Sequence, residues 1–255
     1  MTRIVYLVPA PLDREAAGRA ELSRRAGLLR SWAAPDVEVA VHCTQSGPAS
    51  IESAYEEFLC VPPTARLLAQ LVDEGIDAAI IGCFGDPGLD ALRELVPTLT
   101  VGPAGASLAA AITLGRRVSV LTVTATIVPS LRRLIHDLGA RDALASIRPV
   151  GMTVAEVNAA HDVAVDRLRE EGQSALERDQ ADILVLGCMS MGFLDVAQTL
   201  SDELRVPVVN PAQAALKHTE ALLAQNLRHS RVAYPTPPKT ADGASLDELF
   251  LAGTP

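Results

Sequence analysis

The chain alternates between short aliphatic runs and longer stretches in which apolar side chains recur every three to four positions. Ile4 to Val8 is the first run, ending at Pro9-Ala10-Pro11, and Asp13 then precedes a helical pattern reaching about Trp32. Val37 to His42 alternates as a second strand. The stretch Cys43 to Ser53 after it, with Gly47-Pro48-Ala49-Ser50, is polar and turn-rich and is expected to be a loop. Pro62-Pro63-Thr64 predicts the opening of a helix to about Glu74, because a proline in the first turn has no helical N–H bond to lose. Further strands are predicted at Asp77 to Ile81, Thr98 to Val101, Val118 to Thr122, about Ala145 to Val150, Ile183 to Leu186 and Val206 to Asn210. Thr153 and Glu156 have capping-box spacing and open a helical region to about Asp179; Pro211 starts a last helix ending near Leu227. From Tyr234 on, Pro235, Pro237, Pro238 and Gly243 predict an extended tail, with a short docked turn at Leu246 to Leu251.

This β-α period implies an α/β fold of parallel sheets with right-handed crossovers and helices on both faces. One phrase occurs twice. Asp77, Gly82, Cys83, Leu89 and Asp90 each find an identical residue 105 positions on, at Asp182, Gly187, Cys188, Leu194 and Asp195. In both copies a buried-strand pattern hands over to a helical one at the cysteine. The duplication predicts two pseudo-symmetric lobes, each a parallel sheet flanked by helices, with both cysteines opening into the cleft between them. The expected division is 1–98 with 208–232 as the first lobe, 99–207 as the second and 233–255 as a tail.

Composition narrows the classes of function. With 49% hydrophobic residues and only 3% aromatic ones, the chain has enough aliphatic surface for a core of the kind that helix-covered sheets use. A net charge of −9 argues against a nucleic-acid partner, and the Arg24-Arg25, Arg116-Arg117 and Arg132-Arg133 pairs are read as solvated helix faces. No stretch approaches a membrane span and no basic start precedes an apolar run, so the expected location is cytoplasmic, with no membrane partner. The Ala-rich helices are compatible with a homo-oligomer. Cys43, Cys60, Cys83 and Cys188 lack paired C-x-x-C spacing and are expected to be reduced thiols.

Two thiols at equivalent strand ends could be disulfide partners, metal ligands or an acid/base pair. His42, His136, His161, His218 and His229 are scattered without ligand spacing, so no metal is expected, and a redox dithiol normally sits in one short motif. A thiolate on one face of a carbon acid and a thiol on the other would invert the centre. Free Cys has a pKa of about 8.5, and helix N-termini are expected to lower it here. The N–H groups after Cys83 and Cys188, with the hydroxyls of Thr122, Thr124 and Ser190, are candidates for holding an enolate oxygen. No cofactor is then required, and the partner is a small-molecule substrate.

At this point the sequence resembles the aspartate/glutamate/hydantoin racemase superfamily, hydantoin and allantoin racemase branch. The matching stretches are Gly47 to Ser53, Ile81 to Leu95, Val118 to Thr124, Val185 to Gly192, Val206 to Lys217 and Arg228 to Pro238. The resemblance implies a cofactor-independent racemase with Cys83 and Cys188 as catalytic acid/base residues and 5-substituted hydantoins or allantoin as the substrate class. Ser50, Phe84, Gly85, Thr122, Thr124, Gly187, Met189, Ser190 and Asn210 are the expected substrate-binding residues. Two stretches depart from the family pattern: Val8-Pro9-Ala10-Pro11 replaces a polar ligand loop, and Gly102-Pro103-Ala104-Gly105-Ala106 replaces an acidic position. Both predict a less polar pocket. The rival functions are an amino-acid racemase, a single-cysteine decarboxylase or cis–trans isomerase of the superfamily, and a non-catalytic bilobed binding protein. Cys43 and Cys60 are read as buried small side chains, Asp86 as a turn or helix cap, Asp90 and Asp195 as capping or solvating the helices after the cysteines, and His229 and Tyr234 as packing residues.

Overall fold

The structure is a computed structural model describing residues 1–241. Two parallel sheets of four strands share one topology. In the first, β1 (Thr2–Val8) lies between β2 (Val37–Cys43) and β3 (Ala78–Ile81), and β3 carries β4 (Leu99–Val101), giving the order β2-β1-β3-β4. In the second, β5 (Val118–Thr122) lies between β6 (Leu144–Pro149) and β7 (Ile183–Leu186), and β7 carries β8 (Val208–Val209), giving β6-β5-β7-β8. β3 and β7 are buried along their whole length, as strands covered on both faces must be, and are correspondingly aliphatic.

The sheets correct the lobe boundaries expected at 98/99 and 207/208. β4 completes the first sheet and β8 the second, because each pairs with the cysteine-bearing strand beside it. The chain crosses one element later. Helix α4 (Pro103–Leu114) packs on β7 and β8, and helix α10 (Pro211–Ala224) packs on β3, β4 and α4 itself. The buried residues of both are mostly small, Ala104, Ala106, Ala111, Ala212 and Ala215 among them, which suits close approach of helix backbones.

Helix α2 (Ala54–Asp73) also differs from expectation, starting eight residues before Pro62. Ser53 is its N-cap. The Glu56 N–H donates to Ser53 Oγ at 3.3 Å, and Glu56 Oε2 accepts from the Glu52 N–H at 2.8 Å and from Ser53 Oγ at 3.0 Å. Pro62 and Pro63 therefore lie inside the helix, where their missing N–H groups release the carbonyls of Phe58 and Leu59 on its exposed side. The Thr153–Glu156 capping box forms as predicted, but the helical region breaks at Ala160 into α6 (Val154–Ala159) and α7 (His161–Asp179).

The remaining helices are α1 (Ala16–Trp32), α3 (Leu89–Leu95), α5 (Val128–Asp137), α8 (Met189–Gly192) and α9 (Ala197–Leu204). The segment after α10 straps back onto the first lobe. His229 Nε2 accepts the Thr100 N–H at 2.8 Å, its ring meets Tyr234 edge-on, and the Arg93 guanidinium lies over Tyr234. In the expected tail, Pro238–Ala241 forms one helical turn, α11, while the turn expected at Leu246 to Leu251 lies outside the described residues. Among the described residues no helix is long and apolar enough to cross a membrane.

Candidate active site

The repeated residues build the same strand end twice. Asp77 Oδ2 accepts the Arg3 N–H at 2.8 Å, tying β3 to the start of β1, and Asp182 Oδ1 accepts the N–H groups of Arg116 at 2.9 Å and Arg117 at 2.8 Å, tying β7 to the start of β5. At the other end, the Gly82 N–H donates to Leu7 O at 2.7 Å and the Gly187 N–H to Leu121 O at 2.6 Å. A Cβ on Gly82 would lie 2.7 Å from the Tyr6 ring, and one on Gly187 would lie 2.5 Å from Val120 Cγ1 and 2.9 Å from Leu121 O, so both turns need glycine for the close approach of the neighbouring strand. Each lobe thus presents its next residue, Cys83 or Cys188, at the carboxyl end of its sheet.

Both cysteines line one cavity of about 760 Å³. Ser50, Phe84, Gly85, Thr122, Gly187, Met189 and Ser190 share it with them. Two expected residues do not. Thr124 falls past the end of β5, where the backbone turns into a 3-10 segment at Ala125–Ile127, and its hydroxyl pairs with Thr126 Oγ1 at 2.7 Å. Asn210 is buried as the N-cap of α10, its Oδ1 accepting from the Ala212 N–H at 2.9 Å and its Nδ2 donating to Gly192 O at 2.8 Å. Much of the remaining wall is apolar, including Pro9, Ala10, Leu12, Ile51, Ile127 and Leu131. Of the two departures from the family pattern, only the first reaches the cavity, through Val8, Pro9 and Ala10; residues 103–106 form the first turn of α4.

The thiols carry the opposite bias to the one expected. Cys83 precedes a loop that reaches α3 only at Leu89, so no helix N-terminus lies against it, and burial pushes its thiol well above the ordinary range; Cys60, Cys188 and Glu57 add to the rise, while the Gly85 N–H opposes it. Cys188 is the N-cap of α8. Burial raises its thiol too, opposed by the N–H groups of Met191 and Ser190 and by Arg25. Desolvation outweighs the hydrogen bonds at both sites, which makes each thiol a scarcer but stronger base. Cys60, inside α2, is pushed up to about 12, chiefly by burial.

Charged groups that sequence reasoning passed over also meet this cavity. Arg25, expected on a solvated face, is 4% exposed and lines it, as do Arg24, Glu21 and Glu57. The Arg25 guanidinium lies 4.8 Å from the Phe193 ring centroid, donates from Nε to Glu21 Oε1 at 2.7 Å and from Nη2 to Ser190 Oγ at 3.1 Å. The available signal was its position on the stripe Leu22, Arg25, Ala26, Leu29, where a charged residue interrupts an apolar face. Glu52 joins the lobes: its Oε1 accepts from Ser50 Oγ at 2.8 Å and from the Val154 N–H at 3.1 Å, and its carbonyl accepts from Thr126 Oγ1 at 2.7 Å. Asp86 is a cap, as one reading had it, but of a distant helix: its carboxylate accepts from the Ala104 N–H at 3.2 Å and the Gly105 N–H at 3.4 Å at the start of α4. Asp90 lies in the first turn of α3, whereas Asp195 sits in left-handed backbone between α8 and α9 rather than inside a helix. Among the described residues, no three His, Cys, Asp or Glu side chains gather as metal ligands.

Comparison with known proteins places this architecture. Residues 22–219 match the family model for Asp/Glu/Hydantoin racemase. The chain is 35% identical over 203 residues to a hydantoin racemase of Pseudomonas sp. (strain NS671), covering 80% of this chain and 81% of that one. Among solved structures it is similar to an allantoin racemase from Klebsiella pneumoniae, with a TM-score of 0.85, 30% identity, and 93% and 94% of the two chains covered. An allantoin racemase from Pseudomonas fluorescens superposes with a TM-score of 0.83 at 25% identity, covering 92% of this chain and 97% of that one.

Proposed function

This chain belongs to the Asp/Glu/hydantoin racemase family and is a racemase of that family, and we propose that it inverts the carbon between the carbonyl and the ring nitrogen of a 5-substituted hydantoin or allantoin-like ring, using Cys83 and Cys188 as opposed base and acid. The observation that carries this reading is the delivery of two thiols, by two equivalent strand ends, to the wall of one cavity.

The chemistry follows from that placement. A thiolate on one side removes the proton from the stereogenic carbon, the electron pair moves into the adjacent carbonyl, and the thiol on the other side returns a proton to the opposite face. The enzyme ends with its two protonation states exchanged. The developing oxyanion needs donors, and the backbone N–H groups beyond each cysteine with the Ser190 hydroxyl are the groups at hand. The raised thiol pKa values suit the task, since a base must approach the weak acidity of its carbon partner. Pro9, Ala10, Ile51, Ile127 and Leu131 favour a ring bearing an apolar 5-substituent. A cysteine at both strand ends favours racemisation over a reaction that uses a single thiol.

The experiment is turnover of single enantiomers of allantoin and of a 5-alkyl and a 5-arylmethyl hydantoin in D₂O, followed by chiral chromatography and mass spectrometry. Wild type is expected to interconvert the enantiomers of at least one substrate with deuterium at the stereocentre. Cys83→Ser and Cys188→Ser should each lower racemisation by about 10²- to 10⁴-fold, the range of a positioned acid or base. Each should still exchange the proton of the one enantiomer facing its surviving thiol. Two serine variants that both racemise a confirmed substrate at the wild-type rate would remove the two-thiol mechanism.

A further inference from the structure

Resting on that two-thiol reading, we propose that Arg25 is a positioning residue that makes the pair unequal: when one of the two buried thiols is ionised, Arg25 places the negative charge on Cys188, so that the active form begins the cycle with Cys188 as thiolate and Cys83 as thiol. Arg25 is buried at the cavity wall, clamped on three sides. Its guanidinium lies over Phe193, whose ring is held by Tyr6 at 5.4 Å and Trp32 at 6.0 Å between centroids. Nε is fixed on Glu21 at 2.7 Å and Nη2 on Ser190 Oγ at 3.1 Å.

Two consequences reach Cys188. Because Ser190 Oγ accepts from Arg25, its own hydrogen is left to donate into the cavity, and the turn carrying the Ser190 and Met191 N–H groups is held against the Cys188 sulfur. The charge also persists: Glu21 is shared, taking Arg24 as well at 2.7 and 2.8 Å, so one carboxylate faces two guanidiniums and this cluster on the Cys188 side keeps one positive charge in excess. The groups acting on Cys188 are Arg25 from α1, Glu52 from the loop after β2, and the two Ser190-turn amides; Tyr6 from β1 lies near both thiols. Those acting on Cys83 are Glu57 and Cys60 from α2 and Cys188 itself, all of which oppose negative charge, against the single Gly85 N–H. Once the pair has lost one of its two protons, the negative charge therefore settles on Cys188.

Interconverted enantiomers are equal in free energy, so kcat/KM is equal in both directions and does not report this asymmetry; the thiols' own titration does. The test is the rate of iodoacetamide alkylation of each cysteine, resolved by peptide mass spectrometry, in the full-length enzyme without substrate from about pH 6.5 to 10. In wild type, Cys188 should titrate at lower pH than Cys83. Arg25→Gln should raise the Cys188 midpoint by about half a pH unit or more, which is about a threefold loss of alkylation rate below the midpoint. Arg25→Lys, which keeps the charge, should restore most of the shift. Glu21→Gln should move Cys188 the other way by freeing the Arg25 charge, and it decides the matter if Arg25→Gln does not fold. The proposal falls if Cys83 titrates first, if folded Arg25→Gln keeps the wild-type Cys188 midpoint, or if Glu21→Gln leaves it unmoved. Failure here with intact dependence of racemisation on both cysteines removes only the role of Arg25. Failure of the serine variants removes the mechanism and leaves the titration result standing.

Discussion

The two cysteine turns enter alike and leave differently. Up to the cysteine the lobes match: an aspartate anchors the strand and a glycine admits the neighbouring one. After it, the first turn wanders through left-handed Asp86 and Gly88 before α3, whereas the second goes straight into the single-turn helix α8. Both nonetheless tie the cysteine turn to the N-terminus of the helix that crosses to the other lobe, in opposite directions. In the first, Asp86 reaches out to cap α4, whose own cap position is Gly102; in the second, α10 is capped by its own Asn210, which reaches back to Gly192 O. The receiving side is glycine each time, since a Cβ on Gly102 would run into Asp86 and one on Gly192 would lie 2.8 Å from Asn210 Oδ1. Duplication has kept whatever places the sulfur and the link to the crossing helix, and has left the chemical identity of that link free.

The identity matters, because an aspartate titrates and an asparagine does not. Burial pushes the Asp86 carboxyl up from 3.8 to about 7, against the opposing pull of the Ala104 and Gly105 N–H groups. Between about pH 4 and 7 the unfolded chain releases this proton while the folded chain keeps it, so this group's contribution to stability falls as pH rises through that window. Asp86→Asn removes the ionisation and keeps an acceptor for the α4 amides. Its stability relative to wild type should therefore rise with pH from 4 to 7, by ~4 kcal/mol at most, in urea denaturation at several pH values. A difference between the two that stays constant with pH would show that Asp86 does not titrate in this window.

How far the fold can be read from the sequence follows the same division. The strands, the duplicated Asp-Gly-Cys phrase and the Thr153–Glu156 box are local patterns, and they are legible. The start of α2 is legible too at Ser53-Ala54-Tyr55-Glu56, but Pro62-Pro63 is a stronger local signal for a helix start and points to the wrong place. Asp86 and Arg25 are not legible because their partners are 18 and 165 residues away in sequence. A charged side chain on an Ala- and Arg-rich helix is ordinarily solvated, and only the far lobe shows that Arg25 is enclosed. The sheet to which β4 and β8 belong is settled by strand pairing rather than by anything in Leu99–Val101 or Val208–Val209 themselves.

The glycines opposite the two links separate the cases further. Gly102→Ala and Gly192→Ala should each cost about 1–3 kcal/mol in urea denaturation, the usual effect of forcing a methyl group into a filled site. They should differ in pH dependence. Alanine at 102 displaces Asp86 from its buried seat, so part of the wild-type decline between pH 4 and 7 should disappear with it. Alanine at 192 displaces a neutral amide, and its loss should be the same at every pH. Equal pH profiles for the two variants would mean that the links are interchangeable after all.

The smallest expected difference lies where the lobes look most alike, at the anchoring aspartates. Asp77 holds one strand N–H, that of Arg3, whereas the Asp182 carboxylate takes the N–H groups of both Arg116 and Arg117. Both side chains are near solvent, so a lost bond is largely replaced by water and a single one is worth about 1 kcal/mol. Asp77→Ala should therefore destabilise by about 1 kcal/mol or less, and Asp182→Ala by up to about twice that, since two backbone donors lose their acceptor at once. Neither aspartate touches the cavity, so kcat should stay within about twofold of wild type in both. If Asp182→Ala were no worse than Asp77→Ala, the second N–H would already be satisfied by water in the folded protein, and the two strand anchors would be equivalent in energy as well as in sequence.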